Sequence, residues 1–188
     1  MRIITGSAKG INLQTLEGDT TRPTSARAKE ALFSMLQFDI EGRRVLDLFG
    51  GSGQLGLEAL SRGAVSCTFV DAAPAAVSVI RKNIEKTGFA DRAQVKEADY
   101  RNFLRKCRED GFDLVFLDPP YAADLLCDAL LRLAESGLLH RGCILACESE
   151  TGGILERDAR VAAVYKPLKS SHYGRVHIDL LTPIPSEV

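Results

Sequence analysis

From Arg44 onward, short apolar runs rich in β-favouring residues alternate with stretches whose apolar positions repeat at helical spacing, and that alternation leaves few folds open. Residues 45–49, 67–71, 94–98, 112–117 and 143–147 read as strands. Between them lie helical patterns: Leu55, Ala59 and Leu60; Val77, Ile80 and Ile84, closed by Gly88; residues 100–107; and Leu126, Ala129, Leu130 and Leu133. A helix between two strands brings the chain back to the same edge, so the strands pair in parallel with helices on both faces. The tail changes character. Residues 161–165 and 176–181 read as strands with no helix between them, which predicts an antiparallel hairpin at the sheet edge. The expected fold is α/β and doubly wound, Rossmann-like, with a mostly parallel seven-stranded sheet and a C-terminal antiparallel hairpin.

At 188 residues the chain is expected to form a single domain over 1–188. Residues 2–5 and 13–16 read as a small N-terminal hairpin, followed by a rigid loop at Thr20-Thr-Arg-Pro-Thr24, so 1–24 is set apart as a hairpin and a loop on the substrate side. Ala28, Ala31, Leu32, Met35 and Leu36 then mark a helix, with Thr24 or Ser25 available as its cap. There is no apolar run of transmembrane length and no secretory signal core after Met1-Arg-Ile-Ile, which predicts a cytoplasmic protein with no membrane partner. The five cysteines form no C-x-x-C pair and the three histidines are scattered, so no metal site is expected. A net charge of −1 excludes a protein that grips naked nucleic acid by bulk charge alone. Local basic clusters remain at Arg22, Arg27 and Lys29, at Arg101, Arg105, Lys106 and Arg108, and at Lys166, Lys169, His172 and Arg175. Each also reads as a solvated face.

The stretch Phe112-Asp-Leu-Val-Phe-Leu-Asp-Pro-Pro-Tyr121 ends a buried strand on a carboxylate, two prolines and an aromatic ring. Neither proline donates to a ladder, so the strand stops and the Asp118 carboxylate and the Asp118 and Pro119 carbonyls become a stiff set of acceptors beside the Tyr121 ring. Such acceptors suit alkylation of an exocyclic amine of a nucleobase, whose lone pair is delocalised. Gripping its N–H bonds frees the lone pair while the ring stacks on the base. Asp118-Pro-Pro-Tyr121 resembles the catalytic motif of the amino-methyltransferases, which use S-adenosylmethionine.

A second motif, Asp47-Leu-Phe-Gly-Gly-Ser-Gly53, falls where a strand turns into a helix, the place a nucleotide-like ligand occupies in such sheets. Gly51 to Gly56 also satisfies G-x-G-x-x-G, with Asp71 at the spacing of a ribose-binding acid, so a NAD oxidoreductase has to be weighed. Asp47 argues against it: a carboxylate beside the helix N-terminus repels a pyrophosphate, whereas S-adenosylmethionine brings an ammonium and a sulfonium. Asp71 after the second strand suits ribose hydroxyls, and Asp99 after the third suits an adenine amine with Tyr100 or Phe103 against the ring. Each acid taken alone also reads as a helix cap.

Taken together, Arg22-Pro-Thr24, Lys29-Glu-Ala-Leu-Phe33, the block from Asp47 to Gly63, Asp118-Pro-Pro-Tyr121 and Tyr173-Gly174 resemble the RsmD family over nearly the whole chain. That resemblance implies a class I methyltransferase fold and methylation of the 2-amino group of a guanine in bacterial 16S ribosomal RNA, within an assembled or assembling small subunit; the protein is expected to be a monomer. It implies binding roles for Asp47, Gly51, Gly53, Asp71 and Asp99, catalysis at Asp118, Pro119, Pro120 and Tyr121, and closure of the site by the Arg22-Pro-Thr24 loop; Arg22, Thr24, Phe49 and Tyr100 complete the expected cofactor contacts. Arg27, Lys29, Lys169, Tyr173 and Arg175 are the expected substrate contacts. The family usually carries aromatic and basic residues around Gly10, where this chain reads Ser7-Ala-Lys-Gly-Ile-Asn12. Two alternatives share the fold: a DNA adenine-N6 methyltransferase and a non-catalytic nucleic-acid-binding module.

Overall fold

A computed structural model describes residues 1–16, 23–120 and 123–185. Seven strands form one sheet: β1 (Arg44–Asp47), β2 (Ser66–Asp71), β3 (Ala93–Glu97), β4 (Phe112–Leu117), β5 (Leu139–Ser149), β6 (Tyr165–Tyr173) and β7 (Val176–Pro183). Their spatial order is β3-β2-β1-β4-β5-β7-β6, parallel from β3 to β5, with β7 antiparallel to both β5 and β6. The winding reverses between β1 and β4, which opens a crevice at their carboxyl ends.

Helices α1 (Pro23–Met35), α2 (Gln54–Ser61), α3 (Pro74–Thr87), α4 (Tyr100–Lys106), α5 (Ala123–Ser136), α6 (Ile154–Arg157) and α7 (Ala159–Val164) cover the sheet. The strands are apolar because each face of the sheet has its own core. Leu32, Leu57, Phe69, Ile80 and Phe116 pack on one face, and Leu46, Val115, Leu130, Leu145 and Tyr165 on the other. α2 presses especially close to β2, since Gly56 leaves only room enough for the Phe69 ring and the Cys67 thiol.

The N-terminal segment is not a free-standing hairpin. One bridge joins Arg2 to Asn12, and the segment is fastened to α2 by Glu58, which is fully buried and accepts from Ile4 N at 2.7 Å and Thr5 N at 3.0 Å. Glu58 also pairs with Arg62 at 2.8 Å and Lys29 at 3.3 Å, so one carboxylate ties together α1, α2 and the start of the chain.

The C-terminal hairpin forms, but its first strand is displaced from the expected position. Residues 159–164 are helical because the Asp158 carboxylate accepts from Arg160 N at 2.9 Å and caps the turn, while Val161 faces the core. The strand follows as Tyr165–Tyr173, exposed along most of its length as an edge strand. An edge exposed in this way needs no apolar alternation, so the periodicity that marks the other strands is missing. β5 also runs to Ser149 rather than ending at Cys147.

Candidate active site

Four acids meet the carboxyl edge of the sheet. Asp47 ends β1, Asp71 ends β2, Asp118 follows β4, and Glu148 is the penultimate residue of β5. Asp47 is 2% exposed and accepts one hydrogen bond, from Gly56 N at 3.1 Å. Burial is the main reason its carboxyl is pushed up to about 7, the Gly56 N–H pulls the other way, and the neighbouring Asp118 and Asp71 charges add to the rise. These acids therefore feel one another across a single crevice.

Asp71 holds the glycine loop. Its Oδ2 accepts from Gly51 N at 2.8 Å and its Oδ1 from Ala73 N at 2.8 Å, so the half-buried carboxylate shapes the loop and each oxygen keeps a further lone pair. Gly53 caps α2 with φ of 78°, a left-handed backbone that a side chain would strain. Asn83, fully buried on α3, donates to Ser52 O at 2.8 Å and to Gln14 O at 3.0 Å, bracing the loop from behind. Asp99 caps α4 through Arg101 N at 2.9 Å and stays half-exposed.

Tyr100 and Phe49 stand together, with ring centroids 5.1 Å apart. The Tyr100 hydroxyl donates to Asp128 Oδ2 at 2.6 Å, and the Arg101 guanidinium lies 4.7 Å from the ring centre. That leaves the ring as an apolar wall with its polar end engaged elsewhere.

The structure places Arg27 on an exposed turn of α1, Arg175 in the exposed β6–β7 turn, and Tyr173 half-buried against the core. Lys169 is exposed and donates to Met35 O at 3.2 Å, closing the end of α1. Lys29 departs from its expected role as a substrate contact. It is 3% exposed, paired with Glu58 and hydrogen-bonded to Arg2 O at 3.4 Å, and burial lowers its pKa. An ammonium spent on a buried carboxylate cannot reach a phosphate. Pro119 is buried and Pro120 exposed. Arg22 and Tyr121 lie outside the described residues, as does the Thr24 side chain.

Glu148 and Asn83 were not anticipated. Glu148 follows the apolar run 143–147 directly, the same signature that singles out Asp71 and Asp118, and it lies within β5 because that strand continues to Ser149. Asn83 has no signal in sequence, because its partners are backbone atoms 31 and 69 positions away.

Comparison with known proteins agrees with this architecture. A family model described as "Conserved hypothetical protein 95" matches residues 1–182. YlbH of Bacillus subtilis (strain 168) is 40% identical over 152 residues, covering 80% of this chain and 83% of that one. The "Ribosomal RNA small subunit methyltransferase D" of Haemophilus influenzae is 36% identical, covering 80% and 79%. Among solved structures, Escherichia coli yhhF superposes with a TM-score of 0.81 at 33% identity and covers 96% of both chains. With a family model matching residues 1–182 and relatives 36% and 40% identical across 80% of its length, the chain belongs to the RsmD family of methyltransferases.

Proposed function

We propose that the protein transfers a methyl group from S-adenosylmethionine to the exocyclic 2-amino group of a guanine in 16S ribosomal RNA. The observation that carries this is the convergence of Asp47, Asp71 and Asp118 on the crevice where the sheet reverses, beside a glycine loop at the start of α2. Such a crevice suits a ligand bearing positive charge and disfavours a pyrophosphate. The Gln54 Oε1 atom, buried at the start of α2 without a hydrogen-bond partner among the described residues, is one more acceptor of the kind an ammonium needs. When bound, S-adenosylmethionine supplies a methyl group on a positively charged sulfur. Asp71 and Asp99 would hold its ribose and adenine ends, Phe49 and Tyr100 would wall the adenine, and Asp47 would offset its positive charge. Thr24 lies in the first turn of α1, and with Arg22, two positions earlier in sequence, it would close over the ligand.

The reacting amine is the task of the segment after β4. The Asp118 carboxylate and the Asp118 and Pro119 carbonyls would accept from its two N–H bonds, Pro120 keeps the segment stiff, and the Tyr121 ring would stack on the base. Arg27, Arg175 and Lys169 are the exposed cations left to meet phosphates. With a net charge of −1, they are too few to hold free RNA tightly, which favours an assembled or assembling small subunit as substrate, bound by a monomeric cytoplasmic enzyme. The relatives named small-subunit ribosomal RNA methyltransferases support the choice of RNA over DNA.

Titration calorimetry with S-adenosylhomocysteine and with NAD tests the cofactor, and tritiated methyl transfer to small subunits, free RNA and duplex DNA tests the substrate. Binding of the former ligand and transfer to subunits are expected. Binding of NAD alone, or transfer to DNA alone, would refute the reading.

A further inference from the structure

Glu148 is an acid of the crevice to which no structural hydrogen bond falls among the described residues. Asp47 accepts from Gly56, Asp71 holds the glycine loop and Glu58 fastens the N-terminus, whereas the Glu148 carboxyl makes no hydrogen bond to another described residue. Its position is set by strand register. β4 and β5 run parallel with Leu117 opposite Cys147, so the next residues, Asp118 and Glu148, stand level. Side chains alternate along a strand, and both therefore project to the face that Phe116 and Ala146 occupy.

We propose that the Glu148 carboxyl reads the N1–H and O6 edge of the target guanine while Asp118 holds its 2-amino group. This rests on the guanine reading given above and adds the residue that selects the base. Neighbouring strands lie about 4.8 Å apart, a span comparable to the Watson–Crick edge of a purine. The 2-amino group, N1–H and O6 of guanine lie in a row along that edge as donor, donor and acceptor. A carboxylate at Asp118 complements the first. The remaining pair calls for an acceptor and a donor on one group, which a carboxylic acid in its neutral form provides.

Glu148 has reason to be neutral. Burial, and then the Asp118 and Asp47 charges, push its carboxyl up to about 8. On its other side β7 presents Ile178 directly opposite, with His177 opposite the following residue, Ser149. Adenine can offer Asp118 only its 6-amino group, and it then presents an N1 acceptor and a C–H where guanine presents N1–H and O6, so one oxygen of the Glu148 carboxyl is left without a partner. A site that leaves buried polar groups unpaired with the wrong base discriminates strongly against it.

Glutamine is the informative substitution, because its amide offers the same acceptor and donor as a neutral carboxylic acid. Initial rates of tritiated methyl transfer to small subunits lacking the modification should be measured for the wild type, Glu148→Gln and Glu148→Ala, with nucleoside analysis of the product and calorimetry of S-adenosylhomocysteine binding. Glu148→Ala should lower kcat about ten- to a hundredfold, with KM for subunits and cofactor affinity unchanged. Glu148→Gln should stay within about threefold of wild type, as neutral pairing requires. A wild-type rate for Glu148→Ala, or a loss in Glu148→Gln as deep as that in Glu148→Ala, would overturn the assignment. Where the alanine variant does not fold, the glutamine arm decides. A wild-type product other than N2-methylguanosine would instead overturn the guanine reading itself, so the two failures are distinguishable.

Discussion

Asp47 puts a carboxyl group with a single backbone donor into the most buried part of the crevice. Its pKa rises from 3.8 to about 7, so the folded state binds the proton more tightly than the unfolded chain does. The stabilisation from that proton is fully present below the unfolded value and is lost as pH rises through about 7. Asp47→Asn should therefore match the ligand-free wild type in stability near pH 3 and exceed it increasingly as pH rises to about 7, by an amount on the order of a few kcal/mol at most. Thermal midpoints across that range check this, and parallel curves for the two proteins would contradict it. Cofactor binding should respond in the opposite sense. A cationic ligand favours the ionised acid, so wild-type affinity should rise with pH through about 7, and the variant should bind weakly with a flatter profile. At this scale the strand-end acids were legible because each follows directly on an apolar run. Lys29 was not, because the carboxylate that claims it lies on another helix, and a sequence shows charges without their partners.

Among the elements, α2 carries the closest packing in the site. An added methyl at Gly56 would stand 2.3 Å from the Phe69 ring and 2.6 Å from the Cys67 sulfur, both of them buried on β2. The helix would have to move away from the sheet, and with it the start of α2, Gly53 and the loop that Asp71 shapes. Gly56→Ala should cost about 1–3 kcal/mol in urea denaturation and weaken S-adenosylhomocysteine binding. Unchanged stability and affinity would mean that the helix can shift without disturbing the loop. The central strands and their helices were readable from periodicity, since each buries one stripe or two faces. β6 was not: it lies at the edge, carries Lys166, Lys169 and His172, and is set by its pairing with β7 rather than by its own apolar pattern. The short helix before it was hidden for the converse reason, its Val and Ala residues fitting a strand as well until Asp158 caps them.

Across the whole molecule, the sheet order places the segment after β4 next to the glycine loop after β1, although Asp47 and Asp118 are far apart in the chain. The order itself follows from short crossovers and was foreseeable in class. What periodicity alone leaves open is which acids share the crevice, because that depends on register between strands, Asp47 lying opposite Phe116 and Cys147 opposite Leu117. The central claim is that this crevice directs methyl transfer to a guanine amine, and the most direct measurement is mass spectrometry of nucleosides from small subunits incubated with S-adenosylmethionine and either wild type or Asp118→Ala. The account predicts one N2-methylguanosine per subunit with the wild type, and a rate lower by about two to three orders of magnitude with Asp118→Ala, whose cofactor affinity should be retained. Methylation of a different atom by the wild type, or an undiminished rate in the variant, would contradict it.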